Sequence, residues 1–183
     1  MKIPVALQPR HVHLSKEDLE AIFGVGAKLK EAKKCSQKGQ VIYKETVSVI
    51  GASGLFDSVR VLGPCRKKTQ VELSLVDAYA IGLEAPVRLS GDLSRSASCK
   101  IKGPAGEIEA KASVIVPMRH LHLDPLTAKK LACSHGDFVS VQTDDQTIDQ
   151  IVVRVHPSYQ SCFHLSYDEA AEFWLASTDF VTI

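Results

Sequence analysis

Two histidine pairs with matching neighbours constrain this 183-residue chain more than any other feature. Arg10-His11-Val12-His13-Leu14-Ser15 returns, little changed, as Arg119-His120-Leu121-His122-Leu123-Asp124, and these copies hold four of the seven histidines. On a strand, residues i and i+2 point to one side, whereas on a helix they diverge by roughly 200°. Each pair therefore offers two imidazoles to one point only if it lies on a strand. Imidazole is the commonest protein ligand for zinc and related ions. A single pair on a half-buried strand is unremarkable; two in the same context point to metal binding.

The context is a helix start. Ser15 with Asp18 three residues on, and Asp124 followed by Pro125, read as N-caps. Glu72-Leu73-Ser74 with Asp77, and His164-Leu165-Ser166 with Glu169, share that grammar. Four times, a metal-competent side chain is followed by leucine and then by a cap. Each cassette predicts a ligand at the end of a strand that runs into a helix N-terminus, a place that also favours anions. Three ligands per ion leave positions open, as in catalytic rather than structural zinc sites. If each half keeps its own ligands, one group is His11, His13 and Glu72, and the other is His120, His122 and His164. His135 and His156 fall in turns and are read as non-ligands.

Between the cassettes the pattern is strand-rich. Residues 3–9 read as a strand and 16–23 as a helix stopped by Gly24. The lysine-rich stretch 25–40 reads as a solvated loop or a clamp for a phosphorylated ligand. Residues 45–50 and 56–62 form a hairpin around Gly51-Ala52-Ser53-Gly54, and 63–70 a basic, turn-forming loop. Helix 75–81 ends at Gly82, 84–97 reads as loop, and a second hairpin turns at Gly103-Pro104-Ala105-Gly106. Val139-Ser140-Val141, Val153-Arg154-Val155 and His164-Leu165-Ser166 echo Val47-Ser48-Val49, Val59-Arg60-Val61 and Glu72-Leu73-Ser74. This internal repeat predicts a mainly β chain with short α-helices: two small β-barrels, related to each other and capped by helices.

Composition narrows the function. With 22 basic and 21 acidic residues the net charge is +1, and no basic tract or long apolar run occurs. Nucleic acid and membrane are therefore not expected as partners. The five cysteines are widely spaced and form no Cys-x-x-Cys, which suits reduced thiols in a cytosolic protein. Cys65, beside Arg66, is the one candidate catalytic thiol. Arg66 itself could bind a phosphate bidentately. No Rossmann or P-loop glycine pattern occurs.

These residues resemble the PduL-type phosphate propanoyltransferases, or phosphotransacylases, over nearly the whole chain. The resemblance rests on both His-x-His motifs, on Gly63-Pro64-Cys65-Arg66-Lys67-Lys68-Thr69-Gln70-Val71-Glu72-Leu73-Ser74, on Arg88-Leu89-Ser90-Gly91-Asp92, and on Gly136-Asp137-Phe138-Val139-Ser140-Val141. It implies a first barrel over 10–117 and a second over 118–183 completed by the N-terminal strand 1–9. Two zinc ions between them would be held by the two groups named above, with Arg66 on phosphate. Lys33, Arg60 and Leu62 fall where the family contacts coenzyme A. The implied reaction interconverts acyl-CoA plus phosphate with acyl phosphate plus CoA, in the setting of 1,2-propanediol degradation. Gln8 and Ala171 depart from the family pattern near the CoA pocket.

No serine or cysteine with a paired base is evident, so direct attack of phosphate on the thioester is expected rather than an acyl-enzyme. Two other readings stay open: a dinuclear zinc hydrolase, and a metal-stabilised binding module without activity. The chain begins almost at its first strand, so a cytosolic enzyme is expected; the lumen of a bacterial microcompartment and a homo-oligomer are left open.

Overall fold

The computed structural model describes residues 1–34 and 39–183, with side chains for 1–32 and 39–183. In chain order the elements begin with β1 (Lys2–Gln8), β2 (His11–Ser15), α1 (Lys16–Phe23), β3 (Glu31–Lys34), β4 (Val41–Ile50), β5 (Leu55–Arg66), β6 (Gln70–Glu72), α2 (Leu75–Ala80) and β7 (Val87–Arg88). They continue with β8 (Ala97–Lys102), β9 (Glu107–Pro117), β10 (His120–Leu123), α3 (Pro125–Lys130), β11 (Phe138–Gln142), β12 (Thr147–Val155), β13 (Cys162–Ser166), α4 (Tyr167–Glu172) and β14 (Phe180–Thr182). The described residues form two compact units. The larger takes residues 10–34 and 39–117; the smaller takes Met1–Pro9 and Met118–Ile183.

Each unit is a closed six-stranded barrel, as the repeat predicts. In the larger, the strands run β4-β5-β2-β6-β9-β8 and back to β4; β2–β5 and β6–β9 are parallel and the other pairs antiparallel. The smaller runs β11-β12-β10-β13-β1-β14 with the same two parallel joins. β10, β13 and β12 thus hold the places of β2, β6 and β5. The N-terminal strand β1 holds the place of β9. Closure removes the unpaired edges that a short-stranded sheet would expose.

Strand alternation fills each interior. Val12, Val47, Val49, Val59, Val61, Val71, Ile101 and Val114 are buried in the larger unit. Ile3, Val5, Leu121, Val141, Ile151, Val153, Phe163 and Val181 are buried in the smaller. Fully burying one such side chain contributes about 1.5–3 kcal/mol. The repeat reaches irregular details too. Ser58 and Gln150 both adopt positive φ inside β5 and β12, and beside each the same hydrogen bond forms. Ser48 donates to Asp57, and Ser140 to Asp149.

The four caps form at Ser15, Ser74, Asp124 and Ser166. A further pairing locks the cassettes. Arg10 donates from Nε and Nη2 to the two carboxylate oxygens of Asp77, 3.0 and 2.8 Å away, with its guanidinium over the Phe56 ring. Arg119 reaches Glu169 through Nη1 alone, 3.3 Å away, gives Nε and Nη2 to the Asp149 carbonyl, and lies over the Phe173 ring. The arginine before each His-x-His strand thereby holds the third helical residue after the cap that follows Glu72 or His164. Gly51 lies where the β4–β5 turn meets the end of α2; a Cβ there would stand 2.1 Å from the Ile81 carbonyl oxygen.

Three loop expectations are corrected. Residues 25–40 contain β3, which pairs with β4. Residues 63–70 are not one loop: β5 runs on to Arg66 because β2 lies alongside it and pairs Ser15 with Arg66. Within 84–97, Val87 and Arg88 pair with Val116 and Pro117. Glycine and proline signals announced turns where a neighbouring strand instead kept the backbone extended.

Candidate metal centres

In the larger unit β2 lies between β5 and β6, and the register sets what shares its outer side. His11 stands opposite Arg60 and Glu72, and His13 opposite Leu62 and Gln70. Directly paired residues point to the same face. These six side chains therefore lie on one face, while Val12, Val61 and Val71 turn into the core. His11, His13 and Glu72 are nonetheless buried. Each offers a donor atom within 4.8 Å of the others', and His11 Nε2 is 3.5 Å from Glu72 Oε2. Burial pushes the Glu72 carboxyl up, but His11, His13 and Ser90 outweigh it and hold the carboxyl well below the usual range. It is a carboxylate.

His13 is held as a neutral ring. Burial, then His11 and Arg66, bring its pKa down to about 3. Arg66 Nη2 lies 2.7 Å from His13 Nε2, and a guanidinium can only donate, so Nε2 accepts and the ring proton sits on Nδ1. That Nδ1 is buried and completes no hydrogen bond of normal geometry among the described residues, although the Leu62 backbone acts on the ring and raises its pKa against burial, His11 and Arg66. An orphaned polar group costs about 1–3 kcal/mol. Two imidazoles, one of them held neutral, and one carboxylate fit a divalent cation. His₂Glu is a known catalytic zinc donor set.

The smaller unit repeats the arrangement with a different third ligand. His120 stands opposite His164 on β13, and His122 opposite Cys162. The donor atoms of His120, His122 and His164 lie within 4.8 Å of one another, and all three residues are buried. His120 Nδ1 donates to the Met118 carbonyl, 2.9 Å away, which leaves Nε2 as its lone pair. Cys162 donates its thiol proton to the Gln160 carbonyl, and its sulfur lies 2.8 Å from His164 Nε2. The Tyr159 ring stacks on His122 at 3.8 Å. Three imidazoles also match a catalytic zinc set.

The remaining expected site residues fall as follows. Arg66, at the end of β5, also donates from Nη1 to Ser90 Oγ, 3.1 Å away. Arg60 is exposed and donates to the Tyr43 and Lys44 carbonyls. Leu62 is half-buried beside it on the same face. Lys33 belongs to β3, but its side chain lies outside the described residues. His135 and His156 join neither histidine group. The Cys65 thiol is exposed, and desolvation and Glu17 push its pKa up, which disfavours a reactive thiolate.

Four residues around the centres take no role from the sequence, although Gln70 and Ser90 stand in motifs that carry the resemblance. Gln70 and Cys162 each precede a third ligand by two positions, so strand alternation alone places them on the ligand face. Tyr159 and Ser90 follow β12 and β7, and nothing local signals which side chains they touch. Ser90 donates to Glu72 Oε1 at 2.7 Å, and Gln70 Nε2 donates to the same oxygen at 2.5 Å.

No helix among the described residues is long and apolar enough to cross a membrane. A sequence model of the phosphate propanoyltransferase family, PTAC, matches residues 4–176. The phosphate propanoyltransferase of Clostridioides difficile is 42% identical over 92% of this chain and 82% of its own. That of Thermotoga maritima is 41% identical over 99% and 88%, and that of Salmonella typhimurium 40% over 92% and 81%. Matches of that identity and extent settle descent, and with it the chemical class: this chain is an acyltransferase of the phosphate propanoyltransferase family.

Proposed function

We propose that this protein is a zinc-dependent phosphate acyltransferase that interconverts a short-chain acyl-CoA, propanoyl or acetyl, plus phosphate with acyl phosphate plus CoA. The observation that carries this reading is the guanidinium of Arg66 against the His11, His13 and Glu72 group. An anion-binding fork beside a cation site suits a reaction whose nucleophile is itself an anion. Phosphate attacks a thioester poorly unless it is held and oriented, and positioning lowers that barrier. Arg66 would supply the fork, donating two N–H bonds to phosphate oxygens and offsetting charge as two anionic reactants approach.

In the forward direction a phosphate oxygen forms a bond to the acyl carbon. The carbon–sulfur bond breaks, and the thiolate leaves as CoA. His11, His13 and Glu72 would hold one zinc ion and His120, His122 and His164 another. When bound, these ions supply Lewis acidity towards the thioester and towards the departing thiolate. Arg60 and Leu62, on the face of β5 that carries His11 and His13 in register, would contact CoA, as would Lys33. The wide spacing of the cysteines, and the four described ones being free thiols, fit a reducing compartment, cytosol or microcompartment lumen.

The test is CoA release from acetyl-, propanoyl- and butanoyl-CoA with metal analysis of the same sample. Release that depends on phosphate or arsenate, and stops with a chelator, supports the transferase. Release at an equal rate without phosphate identifies a hydrolase. A chelator that melts the fold of a protein without either activity identifies a metal-stabilised module.

A further inference from the structure

Ser90 lies in the turn after β7 and touches three functional side chains at once. Its Oγ is 2.7 Å from Glu72 Oε1, 3.1 Å from Arg66 Nη1 and 3.0 Å from Gln70 Nε2. A hydroxyl has one proton and two lone pairs. Glu72 only accepts and Arg66 only donates, so the proton must go to Glu72, and Arg66 and Gln70 donate to the oxygen. The hydroxyl is used to capacity. Gln70 holds the turn in place: its Oε1 accepts the Gly91 N–H at 2.9 Å, and its Nε2 donates to both Ser90 and Glu72.

The two ends of the Arg66 guanidinium are held differently. Nη2 rests on His13 Nε2, and Nη1 rests on Ser90. Neutral imidazole has one lone pair. A cation bound at Nε2 takes the lone pair that Arg66 uses. A cation bound at Nδ1 moves the ring proton to Nε2, where a guanidinium has nothing to donate to. In both cases His13 releases Nη2, while Ser90 keeps Nη1 and, through its own proton, stays on Glu72.

We propose that Ser90 is a positioning residue that couples the Arg66 fork to the metal-binding carboxylate of Glu72. Ion occupancy of the His11, His13 and Glu72 group then frees one edge of Arg66 for phosphate, and Ser90 keeps that edge aimed. This rests on the reading of Arg66 as the phosphate residue. The coupling runs both ways, so phosphate also tightens the ion.

The experiment measures binding of inorganic phosphate by calorimetry to zinc-loaded and chelator-stripped protein, for wild type, Ser90→Ala, Ser90→Thr and Arg66→Ala. KM values for phosphate and for acyl-CoA are measured alongside. Wild type should bind phosphate more tightly when loaded. Ser90→Ala should weaken loaded-state phosphate binding about tenfold and raise KM for phosphate, with KM for acyl-CoA unchanged; a general loosening of the fold would move both. Ser90→Thr, which keeps the hydroxyl, should restore both values. Phosphate binding by Ser90→Ala within twofold of wild type, while Arg66→Ala weakens it, overturns the role of Ser90 alone. Unchanged binding in Arg66→Ala overturns the phosphate reading and this proposal together. If Ser90→Ala does not fold, Ser90→Cys decides: its weak hydrogen bonding should reproduce the tenfold loss, and wild-type binding there refutes the coupling.

Discussion

Replacing Arg66 by alanine tests the chemistry at its most specific point. In the proposed role, the side chain would contribute one positive charge and, through its fork, two N–H groups to a bound phosphate. Hydrogen bonds to charged groups contribute about 1.5–3 kcal/mol each. Some of that is offset because the guanidinium gives up its contact with His13 Nε2, 2.7 Å away, to reach phosphate. A net loss of about 3 kcal/mol corresponds to about two orders of magnitude in kcat/KM for phosphate. Zinc content should not fall, because Arg66 donates no lone pair and its charge opposes a cation at His13. Arg66→Lys should recover only part of the loss, since a point charge cannot match a planar fork. The assay is initial-rate CoA release across a phosphate series at saturating acyl-CoA, with metal analysis of each variant. Equal kcat/KM for phosphate in Arg66→Ala, or a loss accompanied by an equal loss of zinc, would show that the arginine does not act on phosphate.

Four further outcomes follow from the structure. His122→Ala should lose about one zinc per chain and most activity, and metal analysis showing two ions would remove His122 from the ligand set. Stripping the metal should lower thermal stability: at ion concentrations a thousandfold above Kd, binding adds about 4 kcal/mol, so an unchanged Tm on chelation would deny any structural linkage. In the metal-free protein, burial brings the His13 pKa down to about 3 from the 6.5 of an ordinary histidine. Its neutral form therefore favours the fold fully above pH 6.5, and this contribution declines as pH falls from 6.5 towards 3. Denaturant titrations at several pH values should show that slope, and a His13→Asn variant should lack part of it. Ala132→Gly should raise stability by about 1 kcal/mol, because Ala132 ends α3 with φ near 53°; an unchanged or lower denaturation midpoint would contradict that strain.

The barrels were legible because the repeat carried its own phase. A metal-competent side chain, a leucine and a cap locate a strand end and a helix start four times over, and twice a histidine two positions earlier marks the strand's phase. Local signals failed where the same task was performed by unlike residues. Gly82 announces the end of α2, but α3 and α4 close through Ala132 and Trp174 with the same left-handed turn and the same pair of backbone bonds. Neither residue type advertises that conformation. The Gly63-Pro64 signal misled in the opposite direction, because β2 supplies a partner that keeps β5 extended as far as Arg66. Ser90 stands in a motif that carries the resemblance, but its contact was out of reach: it meets Glu72 only through the pairing of β7 with β9 and of β9 with β6, and no local pattern records such a path.

What differs between the repeats says more about chemistry than what they share. The shared parts, an arginine on the third helical residue, a cap after each donor strand and interior valines, hold the two donor groups in place. The substitutions sit around the ligands. Opposite His13 stands Gln70, tied to Ser90 and Glu72; opposite His122 stands Cys162, its sulfur against His164. Arg66 rests on His13, whereas Tyr159 stacks on His122. The first group thus has a carboxylate and oxygen- and guanidinium-bearing neighbours, suited to an oxyanion. The second has three imidazoles with sulfur and an aromatic ring beside them, softer surroundings that suit a thiolate. A fold built twice from one cassette thereby provides two donor sets of different hardness, one in each unit.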